Sequence, residues 1–110
     1  MAWELRYYLD GRGGNPVEEF IEGLPEEDRA LVRARIGFLG ERGNRVREPH
    51  SKSLGAGLFE LRIRSRRILY CFRPRSNIVL LHAFTKKAQK TPQRAIDIAL
   101  KRMEEVRDES

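Results

Sequence analysis

Two stretches concentrate the side chains that could do chemistry. In L-F-E-L-R-I-R, residues 58–64, an extended chain turns successive side chains to opposite faces. Phe59, Leu61 and Ile63 then share a core face, and Glu60, Arg62 and Arg64 share the other. The turn that follows adds Arg66 and Arg67, and an antiparallel partner strand brings Arg67 or Arg73 alongside the row. In I-V-L-L-H-A-F-T-K-K-A-Q-K-T-P, residues 78–92, an apolar run ends in Lys86, Lys87 and Lys90. A sheet face carrying Arg62, Arg64, Arg67, Lys86 and Lys87 is a concentrated cationic patch. Tyr70, Phe72 or Phe84 would offer flat rings beside it for base stacking, so the chemistry it suggests is nucleic-acid binding.

A plainer reading stands beside this one. Arginines on an exposed strand are often only a solvated surface, and basic strand ends discourage edge-to-edge pairing. The cluster as a whole is harder to dismiss, because the acidic residues fall elsewhere, mostly in 18–28 and 104–109. Other chemistry is thin: there is no paired-carboxylate motif, no phosphate-cradling glycine loop and no Cys/His ligand spacing. His82 lies within an apolar strand, where most histidines are structural, although the ring can carry a proton. His50 sits on a loop beside Lys52. Cys71, between Tyr70 and Phe72, reads as a small core residue, and Trp3 as core or edge packing.

These residues need elements to position them. Residues 3–9, W-E-L-R-Y-Y-L, read as a first strand closed by the turn D-G-R-G-G. Asn15 as cap and Pro16 at the first helical position start a short helix that Gly23 and Pro25 stop. Pro25 restarts a longer one, acidic in its first turn and ending at Arg42-Gly43. Leu31, Ala34 and Phe38 form one apolar row on it, and Val32, Ile36 and Leu39 an adjacent one. Residues 43–57 read as loop. Strands follow over 58–64, 67–73 and 77–84, separated by breaks short enough for hairpins. The last of them is apolar on both faces and so central in its sheet. Thr91 as cap and Pro92 at the first helical position open a final helix with apolar residues at Ile96, Ala99, Leu100 and Met103. The order is β-α-α-β-β-β-α in one domain, residues 1–110. This is an α+β arrangement: an antiparallel sheet with an N-terminal helical hairpin and a C-terminal helix.

Composition bounds the rest. A chain of 110 residues, 40% hydrophobic, supports one core. Its 22 Lys and Arg against 16 Asp and Glu give a net charge of +6, which favours an anionic partner, nucleic acid or an acidic protein segment. One cysteine excludes an internal disulfide, and with two histidines it does not make a structural zinc site. No cofactor is called for. No apolar run approaches a membrane span, and the start lacks a signal-peptide layout, so the expected compartment is the cytosol.

The stretches S-K-S-L-G-A-G-L-F-E-L-R-I-R, R-I-L-Y-C-F and I-V-L-L-H-A-F-T-K-K-A-Q-K-T-P resemble the toxins of the RelE/ParE superfamily. The nearest look is to its phage-derived, HigB-like branch, which shares K-x-L-x-x-G-L-[WF]-E-L-R and F-x-K-K-x-x-K-T-P. The likeness covers essentially the whole chain, with the specific motifs in residues 52–92. It implies a microbial RNase fold with a small twisted antiparallel sheet, and a type II toxin–antitoxin toxin. Many members enter the ribosomal A site and cut mRNA there, whereas the ParE-like branch poisons DNA gyrase. The matching basic positions are Arg62, Arg64, Arg67 and Lys87 for catalysis, with Lys86 and Lys52 beside them; Lys90, Phe84 and His82 are candidate RNA contacts from their own place in the chain. Two departures matter. No tyrosine opens the last helix, where Thr91-Pro92-Gln93 stands, and Glu60 stands where some members have lysine, which leaves open a carboxylate general base.

Metal-free RNA cleavage must deprotonate the 2′-hydroxyl, stabilise a dianionic phosphorane and protonate the leaving 5′-oxygen. Converging Arg and Lys can do the second task, and a lysine, glutamate or histidine with a shifted pKa can do the first. A catalyst built mainly of cations gains from a partner, the ribosome, that presents the strand already positioned. The expected partners are mRNA on the ribosome and, as the resemblance implies, a cognate antitoxin of helix-turn-helix type that covers the basic face. Two rival readings are a ParE-like gyrase inhibitor without nuclease chemistry and a non-toxic, phage-associated nucleic-acid-binding domain.

Overall fold

Alternation holds where the strand pattern is strictest. The computed structural model describes residues 2–108, and in it β3, Leu58–Ile63, turns Phe59, Leu61 and Ile63 to one face and Leu58, Glu60 and Arg62 to the other. The remaining strands are β1 (Glu4–Tyr7), β2 (Ser51–Gly55), β4 (Arg66–Arg73) and β5 (Asn77–Thr85). They assemble in the order β1-β5-β4-β3-β2. Three helices complete the chain: α1 (Pro16–Glu22), α2 (Glu26–Arg42) and α3 (Gln93–Asp108). Glu109, counted above with the acidic C-terminal run, lies outside the described residues. The fold is the α+β arrangement expected, and no helix among the described residues is long and apolar enough to cross a membrane.

Each sheet face is covered for a different reason. The Asn15 side chain accepts the Glu18 N–H at 3.1 Å and Pro16 occupies the first turn, so α1 starts where its cap requires. With α2 it lays Val17, Ile21, Val32, Ile36 and Leu39 on Leu61, Ile63, Ile68, Tyr70 and Leu80. On the other face Ala95, Ala99 and Met103 of α3 pack on Leu58, Leu69, Cys71, Val79 and Leu81. Full burial of each large aliphatic side chain contributes about 1.5–3 kcal/mol, so both layers are held by the same term. Gly43 ends α2 at φ 53°, and a Cβ there would sit 1.9 Å from Trp3 Nε1. That close approach lets the indole pack against the helix end and, at 5.1 Å, against Phe72.

Three expectations are corrected. The sheet is not antiparallel throughout: β1 pairs in parallel with β5, from Glu4 opposite Asn77 to Tyr7 opposite Leu80. The intervening chain supplies the long crossover that parallel neighbours need, whereas β3, β4 and β5 are joined by hairpins and must run antiparallel. Residues 51–55, read as loop, form β2, which pairs antiparallel with β3 across a bulge between Ser53 and Gly55. S-K-S-L-G has little intrinsic strand preference; pairing to β3 and the buried Ser51–Tyr70 hydroxyl contact at 2.6 Å make it a strand. On α2, Ala34 is exposed, and Val32, Ile36, Leu39 and Gly40 are the residues buried.

Candidate functional site

The register assembles the site. Lys52 lies opposite Glu60, Arg62 opposite Arg67, Arg67 opposite Phe84 and Leu69 opposite His82. Opposed residues share a face, so Lys52, Glu60, Arg62, Arg67, His82 and Phe84 occupy the face that carries α3. At the Arg67 end of that face the connection from β5 to α3 reaches the sheet, where Thr91 meets Glu60.

At the centre is a carboxylate that was expected on the surface. Glu60 is 1% exposed, the least accessible charged residue among the described residues. Its Oε1 accepts Arg62 Nε at 3.1 Å and lies 3.9 Å from Arg67 Nε. Its Oε2 accepts the hydroxyl of Thr91. A buried charge persists only when paired and hydrogen-bonded, and here arginines on two adjacent strands supply the pairing. Arg67 is itself nearly enclosed, and burial pushes its guanidinium below the usual arginine range, with Glu60 opposing that shift. Its Nη1 donates to the carbonyls of Arg64 and Arg66, which aims the guanidinium along the turn between β3 and β4.

Thr91 is a second correction. Expected as the cap of α3, it donates to Glu60 instead, and the first turn of α3 closes on the Pro92 carbonyl through the N–H groups of Ala95 and Ile96. Arg64 is a third. The strand ends at Ile63, and Arg64 takes φ 54°, which breaks the alternation and turns its side chain away from the Glu60 face. It pairs with Glu27 at 3.1 Å and Asp28 at 3.0 Å at the start of α2. Asp28 also holds Arg66 at 2.8 Å, and these contacts keep the Asp28 carboxyl below the usual carboxylate range. The acidic start of α2 is therefore tied to the basic turn, so the two signs are less segregated than the sequence suggests.

The lysines sit where the sheet runs out. The Lys86 N–H donates to the Ser65 carbonyl at 2.7 Å, pinning the end of β5 to the β3–β4 turn. Lys87 and Lys90 are exposed beyond it. Arg64, Arg67, Lys86 and Lys87 line an open groove of about 590 Å³. His82 and Phe84 stack at 5.7 Å on the α3 side. Burial, reinforced by Arg102 and Arg94, pushes the His82 pKa down to about 4, so its ring is neutral at pH 7 and adds a flat surface to the face. A larger cleft, of about 650 Å³, is lined by Arg6, Arg73 and Arg75 at the other ends of β4 and β5. It shares no residue with the groove, and the Glu60 cluster lies away from it.

Sequence reasoning thus put Glu60, Arg62 and Arg67 together with Phe84 beside them, while only the register brings Lys52 and His82 to the same face; it missed Thr91 as the partner of Glu60 and Asp28 as the partner of Arg64 and Arg66. Nothing in the local pattern marked either: Thr91-Pro92 reads as a helix start, and Asp28 as first-turn acid. Among the described residues no three His, Cys, Asp or Glu side chains gather to hold a metal ion.

A family model described as phage derived protein Gp49-like (DUF891) matches residues 19–104. No curated protein matches the chain. Among solved structures, the free double-arginine mutant of the Escherichia coli toxin RelE is similar with a TM-score of 0.63 at 18% identity, over 93% of this chain and 98% of that one. The isolated E. coli RelE toxin gives 0.58 at 14%, over 87% and 97%. The Mycobacterium tuberculosis toxin–antitoxin complex RelBE2 gives 0.57 at 19%, over 78% and 93%. At these identities the likeness concerns the fold.

Proposed function

This chain belongs to the phage-derived Gp49-like family, and on that premise we propose that it is the toxin of a toxin–antitoxin pair that inhibits translation by cutting mRNA on the ribosome. The observation that carries the proposal is the single sheet face on which Glu60, Arg62 and Arg67 converge beside the lysine-lined groove. The RelE fold of the similar toxins supports it, and the RelBE2 complex supports an antitoxin as partner.

In this reading the RNA backbone runs along the groove, held by Lys86, Lys87 and Lys90, with Lys52 on the opposite side of the Arg62–Arg67 pair. A base stacks on the Phe84–His82 shelf. Attack of the 2′-oxygen on the adjacent phosphorus, its proton passing to Glu60, forms the new O–P bond; the bond to the 5′-oxygen breaks as that oxygen takes a proton from the Lys87 ammonium, leaving a 2′,3′-cyclic phosphate and a 5′-hydroxyl. Arg67 and Lys87 balance the charge on the phosphorane, fixed donors of this kind being worth roughly 2.7–4 kcal/mol each in the transition state, and Arg62 joins them once it turns from Glu60 to the phosphate. Arg64, held by Glu27 and Asp28, lines the groove and binds the strand rather than the reacting phosphate. Glu60 is the carboxylate within reach of the 2′-hydroxyl proton. A carboxylate offers about four acceptor sites, and Arg62 and Thr91 occupy two of them. It reaches RNA only when the Arg62 side chain, 28% exposed, swings aside.

The test is induction in bacteria with transcriptome-wide mapping of mRNA 5′ ends. New ends inside translated frames, absent with Arg67→Ala, are the expected result. Growth arrest with no new ends and stalled gyrase complexes on DNA would overturn it in favour of the gyrase-directed reading.

A further inference from the structure

We infer that Thr91 is a positioning residue of the proposed nuclease site: its hydroxyl registers the lysine-bearing connection between β5 and α3 on Glu60, and through Glu60 on Arg62 and Arg67. This rests on the reading of that face as an RNA-cleaving site and names the residue that gives it a fixed geometry.

The connection has two attachments. At one end the Lys86 N–H binds the Ser65 carbonyl at 2.7 Å. At the other, the Thr91 hydroxyl donates to Glu60 Oε2. Residues 87–90 between them are exposed, so these two attachments set where Lys87 and Lys90 stand relative to the arginines. Glu60 is the hub because its second oxygen holds Arg62, while Arg67 Nε is buried, has no hydrogen-bond acceptor among the described residues and faces Oε1 at 3.9 Å. A rotation of the carboxylate about its χ angles would move both guanidinium partners, and the Thr91 hydroxyl is the contact that opposes such a rotation.

The helix itself does not use Thr91. It begins at Gln93, and Pro92 holds the cap position, its carbonyl accepting the Ala95 and Ile96 N–H groups. Thr91, one residue before the cap, turns its hydroxyl to a buried carboxylate 31 residues away.

The geometry needs the hydroxyl and not the methyl group, so Thr91→Val and Thr91→Ser separate positioning from packing. The first readout is independent of activity: the side-chain Nε–H resonances of Arg62 and Arg67 in the full chain. They should shift or broaden in Thr91→Val and return to their native positions in Thr91→Ser. The second is cleavage of mRNA on programmed ribosomes. Thr91→Val should lower kcat by about tenfold or more with KM little changed, because misplacing reacting groups by about an ångström costs up to roughly a hundredfold and acts on the transition state; Thr91→Ser should retain the rate. Unchanged arginine resonances in Thr91→Val overturn the inference, as does a Thr91→Ser variant as impaired as Thr91→Val. Shifted resonances with an undiminished kcat overturn it too. If the unmodified protein does not cut mRNA at all, the nuclease reading fails, and the arginine resonances still decide whether Thr91 sets their geometry.

Discussion

Replacing Glu60 by alanine leaves Arg67 enclosed without its anion. The Glu60 side chain is 1% exposed, that of Arg67 12% and that of Arg62 28%. Removing one partner of a buried pair costs about 3–5 kcal/mol, because the remaining charge is uncompensated. Arg62 can recover solvent, so the expected loss for Glu60→Ala is near the lower end, about 3 kcal/mol. In a domain of this size that lowers the thermal midpoint by on the order of 10 °C. Arg67→Leu alone should cost less, since Glu60 keeps Arg62 and Thr91. With both changes in one chain the isolated cation is gone, and the double variant should be more stable than the sum of the single losses by about 1–2 kcal/mol. Urea titrations followed by circular dichroism, with m-values compared to confirm similar unfolded states, measure all four corners. Glu60→Ala within about 0.5 kcal/mol of the parent, with additive behaviour in the double variant, would refute the buried anion as the organiser of this face.

His82 gives a pH signature. Its folded pKa, about 4, lies below the ordinary 6.5, so between those values the unfolded chain takes up a proton that the folded chain refuses. Stability is therefore fully present above pH 6.5 and falls as pH drops towards 4. From pH 7 to pH 5 the loss is at most about 2 kcal/mol at about 1.4 kcal/mol per pH unit, and about 1 kcal/mol once partial exposure of the ring is discounted. His82→Gln should flatten that window; equal slopes for the two proteins would contradict it. Glu18 and Asp28, held low by Arg33 and Arg66, lose their contributions below it. Lys87→Ala, at an exposed position, should shift stability by no more than about 0.5 kcal/mol while relieving growth arrest and cutting cleavage on the order of a hundredfold. Leu61→Ala, fully buried on the opposite face, should instead cost about 2–5 kcal/mol and lose activity only by unfolding. A Lys87→Ala variant that unfolds, or a Leu61→Ala variant as stable as the parent, would contradict this division between surface and core.

What was legible in the chain was local. The alternation of Phe59, Leu61 and Ile63 against Glu60 and Arg62 is written in backbone geometry, and so are the Asn15-Pro16 helix start and the stop at Gly43. Each depends on atoms a few residues apart. The two motif stretches carried the superfamily resemblance, and the family match over residues 19–104 agrees with it. β2 was hidden because S-K-S-L-G becomes a strand only through its neighbour, and the parallel pairing of β1 because its partner begins about seventy positions away at Asn77.

By itself, then, the sequence determined which residues could line the site: a glutamate and arginines at strand spacing, with lysines following an apolar run. The tertiary structure decided which of them meet. Arg64 left the row because a left-handed residue ends β3, and it found Asp28 36 positions back. Glu60 became a buried anion because the register sets Arg62 opposite Arg67 and because Thr91, 31 positions on, closes over it. Propensity and periodicity act along the chain within a turn or two. Burial of a charge and choice of its partners are settled by contacts across the fold, where the cost of desolvating Glu60 is met only once Arg62, Arg67 and Thr91 arrive together.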